Sequence, residues 1–418
     1  MVYRPDKLRL PNFYRYIQRV FHFQQQVSDL EDGRQDAVVP TETLFEALFL
    51  CLLLRFGSFR ALEFEISSGQ AKKVWRHRIP FSINTLRHGL QQFERDSLND
   101  MLLSITKQMK RGKMVSDTIC GLHVAALDGT EYYRSAAIHC PHCMTVHLSP
   151  DQTHYVHRAV LLQHVGATLK PFVAAEPIDK KDKRPSDQEA GHEGELTAAK
   201  RLLTRVAHEY GKPFIDILTC DALYMNYPFA RHCAQLGWYL VARVKDERTE
   251  LYREIITLSE QIDPIKHYDR DTGVVSYTHP VMDLHLSCDW DIPLHGFKVI
   301  ETDSNGTRTF LCATTYPKPD PTLIREIVHR KWGIENNGIK DLKSNWHLEH
   351  NYHHHPTATW VCVLTLLIVY NLYYAYLTRH MKSYRIYPLT QKQVIREFAY
   401  SYLAIAYCLP WARWVSDP

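Results

Sequence analysis

Residues 357–377, TATWVCVLTLLIVYNLYYAYL, carry no formal charge from end to end. A helix of that length, close to the ~20 apolar residues a bilayer demands, either crosses a membrane or lies inside a large soluble core. The interruptions decide between the two. Thr357, Thr359, Thr365 and Asn371 fall within the run, four tyrosines accompany them, and the sequence has no second segment like it. A buried core helix is therefore expected, with no membrane partner. Enclosing such a helix takes a large core, and 418 residues at 45% hydrophobic and 23% charged can build one. On a length prior of about 150 residues each, the chain holds roughly two or three domains.

The opening MVYRPDKLRLPNFYRY shows no apolar run behind a basic start, so no signal peptide is expected. Ten cysteines with a single close pair do not read as a disulfide framework. A reducing, cytoplasmic compartment suits them better. Lys+Arg 50 against Asp+Glu 46, a net charge of +4, does not by itself announce a nucleic-acid binder.

Hydrophobic periodicity divides the chain. Residues 1–115 read as helical, with helices over 41–66, capped at Thr41, and over 81–111, capped at Ser82 or Asn84. TLRHGLQQF in the second is either the reading head of a helix-turn-helix or half of a packing pair in a bundle. From 116 to 249 the order is strand, strand, strand, helix, strand, helix, strand, which makes a mixed sheet with helices packed on it. Residues 250–316 are strand-like again. A long helix over 321–346, interrupted near Gly333 or Gly338, and the apolar helix fill 317–380, and 381–418 form a helical tail.

Two apolar strands end in acids: VAAL at Asp128 and IDILTC at Asp221. A strand is rigid and buried, and its end opens where a ligand can reach it. Side by side, two such strands bring two carboxylates to one spot, as two divalent cations about 3.5–4 Å apart require for phosphoryl transfer. Hard oxygen ligands suit Mg²⁺ or Mn²⁺ rather than zinc. Glu335, on the 321–346 helix, is the candidate third acid. Lys331 lies one turn before it, either as a phosphate contact or as an exposed i,i+4 ion pair, and Lys343 two turns after it. Trp332 reads as core.

HRKWGIENNGIKDLKSNWHLEHNYHHHP (329–356) resembles the glutamate region of the insertion-sequence DDE transposases, in the large insertion-sequence-four-like group. There, tyrosine, arginine, glutamate and lysine are arranged around an RW-x-IE core. LDGTEYYRS (127–135) resembles that group's first-aspartate block and CDALYMNYPF (220–229) its second. The resemblance implies a ribonuclease-H-like core with Asp128, Asp221 and Glu335 as the metal-binding triad. Arg330, Lys331 and Lys343 then fall at DNA-contacting positions. Lys331 stands where the usual arginine precedes tryptophan, Lys343 matches the lysine with one extra residue of spacing, and the tyrosine position falls on Val328. Also implied are a helical DNA-binding and dimerisation region over 1–115 and a β-rich insertion over 250–316, associated with cut-and-paste transposition through a hairpin. The implied activity is cutting and joining of DNA at terminal inverted repeats with two Mg²⁺ or Mn²⁺ ions. The enzyme would act on target DNA as a homodimer in a synaptic complex, associated with the nucleoid in the cytoplasm. A catalytically silent DNA-binding regulator and a general metal-dependent nuclease of the same fold are the alternatives.

Cys140-Pro-His-Cys143 is a close knuckle followed by His147, His154 and His157. Two thiolates and two imidazoles make a tetrahedral zinc site, and Cys140, Cys143, His154 and His157 are the candidate set for structural Zn²⁺. The related transposases often carry such a pair here. The five histidines of HLEHNYHHHP (347–356) are expected in a solvated loop facing DNA or at a satisfied helix terminus rather than as metal ligands.

Overall fold

Alternation along a single strand sets the layers. In β1 (Val124–Ser135), Val124 and Ala126 are buried on one side, Ala125 and Leu127 on the other, as the two-residue period of a strand requires. The computed structural model describes residues 9–67, 81–116, 118–149, 152–166, 168–179, 193–211, 214–270, 272–287, 290–381 and 389–406. It places β1 within a mixed sheet. Antiparallel β3 (Gln152–His164) flanks β1 and pairs in turn with β2 (Met144–Ser149) and β4 (Phe172–Ile178). On the other side of β1 lie parallel β5 (Ile217–Cys220) and then parallel β6 (Tyr239–Val244). The order β4-β3-β1-β5-β6, with β3 alone reversed, is the ribonuclease-H-like arrangement.

Residues 250–316 open with α9 (Glu250–Ser259) rather than a strand, followed by β7 (Ile265–Tyr268), β8 (Val275–Val281), β9 (His295–Asp303) and β10 (Gly306–Thr314). They do not fold away from the core. β10 pairs with β6, Leu311 opposite Val244, so the ten strands of the described residues form one sheet.

Helices cover both faces. On the Ala125 and Leu127 side lie α7 (Glu195–Tyr210) and α8 (Tyr227–Gln235). The other side carries α10 (Pro321–Gly333), whose start is fixed by Asp320 accepting the Thr322 and Leu323 amides. A π-helical turn, Ile334–Ile339, and α11 (Lys340–Ser344) continue it.

The N-terminal helices are α1 (Leu10–Phe21), α2 (Phe23–Ser28), α3 (Thr41–Leu53), α4 (Phe59–Ser67), α5 (Ile83–Gln92) and α6 (Arg95–Arg111). The helix expected over 41–66 is two, broken at Arg55, which takes a left-handed φ of 58°. The one expected over 81–111 breaks at Phe93 and Glu94. Ser82 does cap α5, accepting from the Thr85 amide, whereas Thr41 donates its hydroxyl to Asp32 and Pro40 takes the cap position. Gly89 of α5 lies so close to Leu44 that a Cβ would collide with it. That contact makes α5 half of a packing pair.

The apolar run forms α12 (Pro356–Ala375). It lies between the sheet at β4 and helices α3, α5 and α6, and 89% of its apolar window is buried. Among the described residues it is the one helix long and apolar enough to cross a membrane, and here it is core. Its interrupting Asn371 accepts from the Phe172 amide at 2.9 Å and donates to the Phe172 carbonyl at 2.8 Å, pinning the start of β4. The tail contributes α13 (Gln391–Ala406).

Candidate active site

Register brings the first two acids together. Ala126 of β1 lies opposite Thr219 of β5. Two residues further on in each strand, Asp128 and Asp221 come level, on the same face as Val124, Ala126 and Ile217. β1 does not end at Asp128 but runs on to Ser135. It is β5, stopping at Cys220, that leaves Asp128 uncovered.

α10 delivers the third acid. Ile324, Ile327 and Val328 pack it onto the sheet, and Glu335 follows in the π-helical turn, a type of irregularity that is frequent at functional sites. Gly338 lets this turn lie directly against Gln163 of β3. Ligand oxygens of Asp128, Asp221 and Glu335 all lie within 4.8 Å of one another.

Lys331 occupies the middle of this group. Its side chain is 2% exposed, and Nζ stands 2.9 Å from Asp221 Oδ1, 3.6 Å from Asp128 Oδ2 and in contact with Glu335 Oε1. It is thus neither an exposed ion pair nor a solvent-facing DNA contact. With Ile324, Ile327 and Val328 it continues the i, i+3, i+4, i+7 stripe that faces the sheet. Burial would lower its pKa, but the acids, Asp128 first, raise it. Burial pushes the Asp128 carboxyl up to about 7; Lys331 opposes this, and Asp221, Glu335 and Glu195 add to it. Three carboxylates already in contact with an ammonium form a pocket of the size and charge for cations. The all-oxygen donor set fits Mg²⁺ or Mn²⁺.

Glu195, in the first turn of α7, is a fourth acid at the site. Its carboxylate accepts the Tyr224 hydroxyl at 2.5 Å and lies where a Cβ at Gly129 would stand, so the residue after Asp128 must be small.

The cationic positions divide. Arg330 is exposed and paired with Glu326 at 3.0 Å. Lys343 lines an open cleft with Asp128, Glu335 and Lys340, and pairs with Glu349 at 2.7 Å. Trp332 is half-buried rather than core, with the Arg243 and Arg308 guanidinium groups 5.8 and 5.9 Å from its ring.

The cysteine cluster differs from the set drawn from spacing. Cys140, Cys143 and His157 come together, but with His354 in the fourth place, and His154 lies outside. On strand β3, residues three apart point to opposite faces, so His154 cannot join His157. His354 comes from the histidine loop that was expected to be solvated; it is half-buried. Burial holds the His157 ring neutral, its pKa pushed down to about 4.

Residues 186–372 match the family model of the transposase DDE domain. That match supports a DDE transposase. It implies a DNA-cutting enzyme with DNA as its partner; such transposases depend on divalent metal, and Asp128, Asp221 and Glu335 form a candidate cluster for it. The matched span includes Asp221, Glu335 and Lys331 and begins after Asp128. No curated protein matches the chain. Among solved structures, the NurA nuclease from Sulfolobus solfataricus is similar at 10% identity and a TM-score of 0.28, over 68% of this chain and 97% of that one.

Proposed function

We propose that the chain is an insertion-sequence-four-like transposase that cuts and joins DNA at terminal inverted repeats by two-metal phosphoryl transfer, as cut-and-paste through a hairpin. The observation that carries this reading is the convergence of Asp128, Asp221 and Glu335 from two strands and a helix onto one spot beside an open cleft. These three acids would hold two Mg²⁺ or Mn²⁺ ions. When bound, such ions supply activation of the attacking oxygen and charge stabilisation at the departing 3′ oxygen.

The chain's own groups do the rest. Asp128 and Asp221 are held by paired strands, so the acids are placed before substrate arrives, which is where positioning gains its rate advantage. Lys331 pairs with all three acids, so it would have to withdraw for them to hold a metal ion. Once displaced, its ammonium remains within reach of a phosphate at the same spot. Lys340 and Lys343 line the cleft beside it and would carry phosphate contacts. Coordinated cutting at two ends calls for a homodimer, working on DNA in the cytoplasm.

The test uses the purified chain, Mg²⁺, a duplex with the inverted repeat that flanks its gene, and a scrambled duplex. Cleavage at the repeat boundary alone is expected. Equal cleavage of both duplexes would make it a general nuclease, and binding without cleavage a silent regulator.

A further inference from the structure

We infer that Cys140, Cys143, His157 and His354 bind a structural Zn²⁺ ion that ties the catalytic sheet to the entry of α12. The site is separate from the carboxylate cluster, and its donors are sulfur and nitrogen rather than oxygen.

The distances carry the inference. The Cys140 and Cys143 Sγ atoms are 3.8 Å apart, nearly twice the ~2.05 Å of a disulfide bond. His157 Nε2 lies 3.5 Å from Cys140 Sγ and 3.3 Å from Cys143 Sγ, and His354 Nε2 lies 3.5 Å from Cys143 Sγ. With Zn–S about 2.3 Å and Zn–N about 2.0–2.1 Å, the edges of a tetrahedron are about 3.8 Å between sulfurs and about 3.5 Å from sulfur to nitrogen. The Sγ–Sγ spacing of 3.8 Å equals the first value, and the Sγ–Nε2 spacings of 3.3–3.5 Å lie close to the second.

The frame around the ligands is built to hold them. The Cys143 amide donates to the Cys140 carbonyl at 3.0 Å and the Cys140 amide to Cys143 Sγ at 3.4 Å, which makes the knuckle turn. Tyr132 stacks on the His157 ring at 5.7 Å and 12°, and the Tyr133 ring lies 4.2 Å from that of His354. Both imidazoles are therefore fixed in orientation by β1. Cys143 and His157 are buried and Cys140 and His354 half-buried, and thiolate and neutral imidazole are the forms that ligate a metal.

The ligands come from the turn after β1, from β3 and from the segment leading into α12. A shared ion would thus close a long loop of chain, from β2 to α11, that holds every strand of the sheet except β1. It would also anchor the segment that follows Lys343 and Glu349 at the cleft.

Elemental analysis of the full-length protein, purified without chelator, tests this. The wild type should carry stoichiometric zinc, retained by His154→Ala and lost in Cys143→Ser and His354→Ala. Should those variants fail to fold, cobalt exchanged into the wild type should give the visible absorption of tetrahedral thiolate coordination. The chelator-treated wild type should also melt at a lower temperature, with recovery on adding zinc. A wild type without zinc or a cobalt band would overturn the inference. So would zinc retained by Cys143→Ser and lost in Asp221→Ala, which would put the ion at the carboxylates.

Discussion

At Lys331 a buried ammonium faces three carboxylates, and its removal should act in two directions. In Lys331→Met the acids repel one another, and without divalent ions the protein should lose about 1–3 kcal/mol. That is less than a fully buried broken pair costs, because Asp221 and Glu335 are partly solvated. The same substitution removes a competing cation, so Mg²⁺ should bind roughly tenfold more tightly, about 1.4 kcal/mol. Thermal melts with and without Mg²⁺ check both effects, and a variant equally destabilised in each condition would contradict this role. Asp128 and Asp221 were visible in the sequence as carboxylates closing apolar stretches, because strand period is a local property, whereas Glu335 was marked by its helix and by the family resemblance. The burial of Lys331 was also there, in its place on the apolar stripe of α10, but its charge pointed the other way. His354 left no such signal, since 211 positions separate it from Cys143 and only the folded chain joins them.

Between elements, Glu301 of β9 fastens the added strands to α10. Its carboxylate is 1% exposed and accepts from Arg325 Nε at 2.6 Å, His329 Nε2 at 2.7 Å and Arg308 Nε at 3.1 Å. Burial works to raise its pKa, but His329 and Arg325 outweigh burial and hold it down to about 2. A depressed carboxyl contributes stability that is complete above its ordinary pKa of 4.5 and is lost as the pH falls toward 2. Glu301→Gln should cost about 3 kcal/mol at neutral pH, since it leaves the buried Arg325 charge uncompensated. It should also flatten the acid loss of stability in that window. Urea unfolding at a series of pH values checks this, and equal slopes for variant and wild type would count against it. This link explains why residues 250–316, strand-like in sequence, extend the core sheet rather than folding apart. Pairing of β10 with β6 is a long-range choice that no local pattern encodes. The breaks at Arg55 and Phe93 have a related cause. Helical periodicity continued across them, while the turns were imposed by packing around α12.

Over the whole molecule, one sheet separates two helical layers, and the apolar run is the core on which the N-terminal helices assemble. That much was legible in the sequence, because a long uncharged segment with few alternatives must be enclosed by other chain. How the layers meet was not, since it depends on which face each strand presents. Asp128 and Asp221 share the face that α10 covers, and the proposed chemistry depends on that coincidence. The most direct test is Mn²⁺- or Mg²⁺-dependent cleavage of the inverted-repeat duplex by Asp221→Asn beside the wild type, with repeat binding measured in parallel. The substitution keeps the shape of the side chain and removes one ligand charge. Cleavage should fall by about a hundred- to a thousandfold, the scale of losing one essential electrostatic contact, with binding to the repeat preserved. Undiminished cleavage by the variant would contradict the assignment of the acidic cluster as the active site.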